Sequence, residues 1–315
     1  MTNLTVTKYS VLTIILIFCS QLLLAQDANK ATADSQAVEW VRLQNDNDGF
    51  SIEMPSNYEF FSEKDGFVMG KSQDELEFKE VKFLTVYHDK TLMKVESYSL
   101  KNPKKGLDLM IDYVKGKETS ISRAALRGKQ FVSRREKPYS VTQFFATKTN
   151  LYVIFTASRE ENSPAMQRFL ASANFNSALP ADNVKTIKFS ELKNSPFALT
   201  DETKSAGNNK NQNTSPNNVK PPNAPVDSSP LTIMMQYPPG YTIAARNNNV
   251  TGIMRLRLTF SASGRISKIG IVSALPEGLT RQAIFAALRI KFLPAEKNGH
   301  PISVTKIVEY RFSMY

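Results

Sequence analysis

The sequence predicts an α+β protein: an N-terminal antiparallel sheet with packed helices, followed by a small β-β-α-β unit. Three observations carry this. Runs of β-branched and aromatic residues, several of them alternating with polar ones, recur through residues 38–180 and again through 231–315. Helical spacing is confined to three short segments. Between the two stretches, residues 181–230 turn to Asn, Pro and Ser with almost nothing to bury. The chain has 315 residues, 41% of them hydrophobic and 22% charged. That suits about two domains with real cores.

Residues 1–25 read as a secretory signal peptide. Lys8 is the only charge before an apolar run at residues 11–25, which falls short of the roughly 20 residues of a bilayer span. Cleavage is expected after Ala25; the alternative is an uncleaved anchor. Phe18 precedes Cys19 where a lipoprotein signal wants a small residue. Cys19 is the sole cysteine, so the mature chain has none, and a disulfide scaffold and a cysteine nucleophile are both excluded. Residues 26–37 are small and polar and form a mature tail.

In residues 38–180, GFSIEMP (49–55) alternates and stops at Pro, as a strand entering a turn does. VKFLTVYHD (81–89) and MKVESYSL (93–100) are further strands. In GLDLMIDYVKG (106–116), Leu107, Met110, Ile111 and Val114 share a helical face. FVSRR, YSVTQFFAT and NLYVIFTAS then read as strands. Ser163 and Pro164 open a closing helix, with Met166, Phe169 and Leu170 toward the sheet. Residues 181–230 are expected to be a disordered linker, with TIKFSEL (186–192) as a short edge element.

In residues 231–315, Met254, Leu256, Leu258 and Phe260 alternate with Arg255, Arg257 and Thr259, a half-buried strand. SASG turns into a second strand with Ile269 and Ile271 on one face. Ala283, Ala286, Ala287 and Ile290 lie at helical spacing, and Phe292 and Pro294 are expected to end that helix. A polar Lys-Asn-Gly turn leads to a last strand at residues 303–312.

This unit resembles the C-terminal domain of TonB-type energy transducers. The carrying residues are Tyr237-Pro238, Gly252, Gly264 in the hairpin turn, and Ala283, Ala286 and Ala287 on the helix. Phe292, Pro294-Ala295, Asn298-Gly299 and the β-rich ending at Phe312 complete the pattern. The resemblance covers nearly the whole unit. It implies a non-catalytic, periplasm-facing protein that takes an extended peptide beside an exposed sheet edge by β-augmentation. The implied edge is the last strand: Ser303, Val304, Thr305, Lys306, Ile307, Val308, Glu309, Tyr310, Arg311 and Phe312. The implied partner is the N-terminal segment of an outer-membrane receptor or transporter, and a homodimer through the same edge is the competing use. Such transducers keep an inner-membrane anchor and a long Pro-rich spacer. Here the apolar run looks cleavable and a folded unit fills the middle. A membrane-anchored energy transducer is therefore the alternative reading. More weakly, residues 38–180 resemble PsbP-like domains, through GFSIEMP, the inserted helix and YVIFTASREENSPAMQRFLASANF.

No motif points to catalysis. The chain lacks G-x-S-x-G, H-E-x-x-H, a Walker loop and a dinucleotide fingerprint. His88 and His300 stand apart from any ligand cluster, so no metal and no cofactor are expected. Asp74-Glu75-Glu77 and Arg134-Arg135-Lys137 read as solvated turns. Basic charge is concentrated at the end: residues 231–315 hold 11 of the 40 Lys and Arg but three of the 29 Asp and Glu. Export argues against nucleic acid. Arg255, Arg257, Arg265 and Lys268 offer a basic sheet face as the runner-up route to envelope components such as peptidoglycan or anionic lipid; the other reading is a face simply solvated by water, the one taken for Arg257.

Overall fold

The structure, a computed structural model, describes residues 38–69, 76–114, 116–133, 138–176, 178–203 and 228–314. The leader, the tail, Asp74-Glu75, Arg134-Arg135-Lys137 and residues 204–227 lie outside the described residues. The fold is α+β.

In chain order the first part runs β1 (Trp40–Asn45), β2 (Phe50–Pro55), β3 (Glu59–Met69), β4 (Leu76–His88), β5 (Thr91–Ser99), α1 (Pro103–Ile111), β6 (Lys117–Arg123), β7 (Leu126–Ser133), β8 (Tyr139–Ala146), β9 (Asn150–Ser158) and α2 (Pro164–Ser172). Next come β10 (Thr186–Lys188), a 3-10 turn (Phe189–Glu191) and β11 (Ala198–Asp201). The last part runs β12 (Ser228–Ser229), β13 (Thr232–Met235), α3 (Ile243–Asn247), β14 (Gly252–Phe260), β15 (Ile266–Ser273), α4 (Leu279–Leu288), β16 (Lys291–Leu293), β17 (Ala295–Lys297), β18 (His300–Ile302) and β19 (Val304–Phe312).

The scaffold is a seven-stranded antiparallel sheet ordered β3-β4-β5-β9-β8-β7-β6. Its central strands β5 and β9 are buried along nearly their whole length, because both faces are covered. One face packs against α2 and the small sheet β10-β1-β2, with Leu43, Ile52, Met93, Ile154 and Phe169 in the core. The other face receives α1 and parts of the C-terminal unit: Phe285 joins Phe78, Phe83 and Phe144, and Tyr237 and Leu293 join Leu92 and Phe155. Trp40–Tyr315 is consequently one compact unit.

Local signals account for the helices. Ser163 Oγ accepts from the Met166 amide at 3.3 Å with Pro164 at the first position, the expected cap. The helix expected at 106–116 begins earlier, because Asn102 caps the Lys105 amide at 3.0 Å and Pro103 opens it. It stops at Ile111, so Val114 lies beyond it.

The C-terminal sheet is ordered β11-β15-β14-β19. Met254, Leu256, Leu258 and Phe260 are fully buried beneath Ala283, Ala286, Ala287 and Ile290. The helix stops at Leu288 instead of Phe292. The expected Lys-Asn-Gly turn is present, with Asn298-Gly299 joining β17 to β18, but the residues around it form short strands. β16 pairs with β13, and β17 pairs with both β18 and β12. Residues 291–293 and 295–297 are in ladders, and Lys291 and Leu293 also meet the large sheet, at Glu96 and in the core with Leu92 and Phe155. Residues 181–203, placed by sequence at the start of the linker, carry β10, which runs parallel to β1, and β11, which runs parallel to β15.

Candidate partner-binding edge and the charge cluster behind it

β19 pairs with β14 over its whole length, from Gly252 opposite Phe312 to Phe260 opposite Val304. It ends the sheet, so among the described residues no strand pairs with its outer side. Each residue of a strand offers a backbone donor and acceptor, and an edge leaves one row of them without a ladder. Ser303 precedes the strand, and its Oγ accepts from the Ala262 amide at 3.1 Å. Thr305, Lys306, Ile307, Glu309 and Arg311 are exposed, Val304 and Val308 are half-buried, and Tyr310 and Phe312 are anchored in the core. Ile307 is 50% exposed, an apolar side chain held on an open strand.

The outer face of this sheet differs from the expected basic face. Arg255 bonds Glu309 at 2.6 Å and Arg257 bonds Glu202 at 2.9 Å. Arg265 has left the face: it pairs with Glu59 at 3.0 Å and donates to the Pro196 carbonyl at 2.5 Å. With Glu202 and Glu309 on this face and Arg265 turned away from it, the face is less basic than the sequence count suggests.

Where the end of α4 and β16 meet β5 lies a buried charge cluster. Glu96, Lys94, Lys291 and Arg289 are each at most 2% exposed. Lys291 Nζ donates to Glu96 at 2.8 Å, and Lys94 lies 3.6 Å from the same carboxylate and donates to the Leu288 carbonyl at 3.0 Å. Tyr98 donates to Glu96 at 2.9 Å and accepts from Arg289 Nε at 2.8 Å. The Arg289 guanidinium also stacks 3.8 Å over the Tyr237 ring. Glu96 therefore faces three cations.

Burial dominates the titration of these groups. It pushes Lys291 down to about 7, against the opposing pull of Glu96, with the Lys94 and Arg289 charges adding to the fall. Burial lowers Lys94 too, again opposed by Glu96. Burial alone would raise Glu96, but the Lys291, Lys94 and Arg289 charges hold it below the usual carboxylate range. A second contact lies nearby. Tyr87 donates to Glu296, and Arg159 reaches Glu296 at 3.2 Å, the Pro294 carbonyl at 2.8 Å and the Pro230 carbonyl at 3.1 Å. Tyr237, Lys291 and Pro294 were read from sequence only as part of the family pattern, and none of these residues was singled out as a member of a charge cluster. The cluster's only sequence signal is that Lys94, Glu96 and Tyr98 share one face of β5, a pattern that also describes a strand with one face in water.

Other sites are less organised for chemistry. A cleft of about 310 Å³ beside β1 and β4 is lined by Asn45, Asp46, Ser62, Glu80 and Lys82. His88 ends β4, and His300 is exposed at the start of β18. Among the described residues, no group of three or more His, Cys, Asp or Glu could hold a metal, and no helix is long and apolar enough to cross a membrane.

Comparison with known proteins bears on the C-terminal unit. Residues 237–314 match the family described as Gram-negative bacterial TonB protein C-terminal. That family is non-catalytic and transport-related, its proteins are envelope-associated with periplasmic domains, and its C-terminal domains interact with outer-membrane transporters. No curated protein matches the chain. The match lies wholly within the last unit, so the PsbP-like resemblance of residues 38–180 rests on their sequence pattern alone.

Proposed function

We propose that this TonB-like, partner-binding protein captures an extended peptide of an outer-membrane transport partner along the outer side of β19, in the periplasm. The observation that supports this is the long strand at the end of the sheet, laddered on one side and anchored by Tyr310 and Phe312. Main-chain hydrogen bonds would supply affinity. Lys306, Ile307, Glu309 and Arg311, all exposed, would select among peptides by charge and apolar contact. No catalytic step is invoked. The signal-peptide reading favours an exported chain. A mature N-terminus at Gln26, read by mass from the envelope fraction, supports it, whereas an intact leader in the inner membrane would favour the anchored transducer.

Deleting residues 303–315 is a poor test, because it also strips Tyr310 and Phe312 from the core. Proline substitutions are cleaner. Neighbouring residues of an antiparallel strand send their amides to opposite sides. Of Lys306→Pro and Ile307→Pro, one removes a β14 ladder bond and the other an outward amide. Binding of synthetic N-terminal receptor peptides is measured by calorimetry. The expected result is one stable variant that loses binding and one variant that loses stability. Full binding by both would sink the proposal. A parent chain that sediments as a dimer, lost with the same proline, would assign the edge to a second copy instead.

A further inference from the structure

The C-terminal sheet has two sides, and they are treated differently. On the β19 side nine residues end the sheet. On the other side the eight-residue β15 is covered by β11, whose Ala198, Leu199, Thr200 and Asp201 lie opposite Lys268, Ile269, Gly270 and Ile271. This strand is supplied by the segment that leaves the first unit. Ser195 and Asn194 tie that segment to β3, through the Ser195 amide to the Phe60 carbonyl at 2.8 Å and the Ser62 amide to Asn194 Oδ1 at 2.7 Å. Arg265 holds the Pro196 carbonyl, and Phe197 packs at the edge of the C-terminal core and against Phe61. After β11 the Glu202 amide donates to the Ile271 carbonyl at 2.9 Å. The Glu202 carboxylate then lies in the space a side chain at Gly270 would occupy, and it pairs with Arg257.

The strand directions give this arrangement a meaning. β15 and β19 each run antiparallel to β14, so they run parallel to each other. β11 also runs parallel to β15. It therefore stands where the β19 edge of a second copy would stand if one sheet were continued by the next. Such a contact joins two different edges, so it does not close on itself and grows into open chains. β11 is half as long as β15 and ends in Asp201, with Glu202 following. Short, charged edge strands are a recognised way to stop edge-to-edge growth.

We propose that Ala198–Asp201 is an edge guard: it occupies the β15 side in cis, excludes a second copy of this chain there, and leaves β19 as the one long edge of this sheet open to a partner. The exclusion goes beyond the partner-binding reading, and its test uses no partner peptide.

The test is the full chain carrying Leu199→Pro with Thr200→Pro. Hydrogen exchange of residues 266–273 and sedimentation over a range of concentrations are read together. The expected result is about tenfold or faster exchange at Lys268–Ile271, together with oligomers that grow with concentration without a defined end size. Adding the β19 proline that removes an outward amide should return the chain to the parent's size. Faster exchange with unchanged sedimentation would overturn the proposal, as would a closed dimer. If the prolines prevent folding, Asp201→Ala with Glu202→Ala loosens the same strand and is judged by the same two outcomes. If exchange at residues 266–273 stays at the parent's rate in that second variant as well, β11 is not what covers this edge and the proposal fails.

Discussion

The two ends of the C-terminal unit use charge in opposite ways. At the buried end, Arg289 and Lys291 are almost fully withdrawn from water and meet Glu96 and Tyr98 on β5. At the open end, Lys306 and Arg311 are exposed along β19, and Glu309 pairs there with the half-exposed Arg255. The two ends are close in the chain, with 15 positions from Lys291 to Lys306, but lie in different sheets: Lys291 opens β16, paired with β13, and β19 ends the four-stranded sheet. The lesson is about surroundings. A charge in a dry contact must be matched, so it fixes which surfaces meet. A charge on a wet edge is nearly neutral to stability and is free to select a partner.

The largest expected effect comes from removing the anion at the dry end. Glu96→Gln leaves Lys94, Lys291 and Arg289 facing a neutral amide, and it should cost about 3–5 kcal/mol of stability by urea unfolding. A cost near that of a surface change would mean the cluster is wet, and the contrast between the two ends would be lost.

The pH dependence comes next. Lys291 sits near 7 in the folded chain, below its ordinary value of 10.5. Between those values the unfolded chain holds a proton that the folded chain lacks. Stability from this group therefore rises with pH above about 7, with a slope of up to about 1.4 kcal/mol per pH unit. Glu96 acts at the acid end: its held-down carboxyl contributes stability above the ordinary carboxylate value and loses it as pH falls through the folded value. Urea midpoints at pH 6, 7.5 and 9 check the rise.

A smaller effect follows for Lys291→Met. It removes one of three cations around Glu96 and keeps the apolar stem, so the cost at pH 7 should stay within about 2 kcal/mol. The same variant should flatten the rise above pH 7; an unchanged slope would assign that rise to another group. The smallest effect is expected at the open end. Glu309→Gln breaks the Arg255 pair, whose side chains are 44% and 53% exposed, and should change stability by about 0.5 kcal/mol or less.

Much of the fold was legible because its causes are local. The alternation of Met254 to Phe260, the alanines of α4 and the Ser163-Pro164 start each depend on neighbours a few residues away. The Asn102-Pro103 start of α1 was equally local and passed unread. The last strand could be read as a strand, but its single ladder could not, since pairing is set by residues some 50 positions distant. Lys94 and Glu96 gave no warning, because one polar row on a strand looks alike whether it faces water or a docked layer.

The sequence by itself determined the α+β class, the strand and helix periodicities, and a last unit with the pattern of a TonB C-terminal domain. These are matters of side-chain spacing and turn chemistry, which act along the chain. Only the tertiary structure decided that residues 289–296 seal against the large sheet, that β11 covers one side of the small sheet, and that β19 ends the other. Those outcomes depend on which distant surfaces bury each other, and burial is a property of the packed molecule, not of any segment within it.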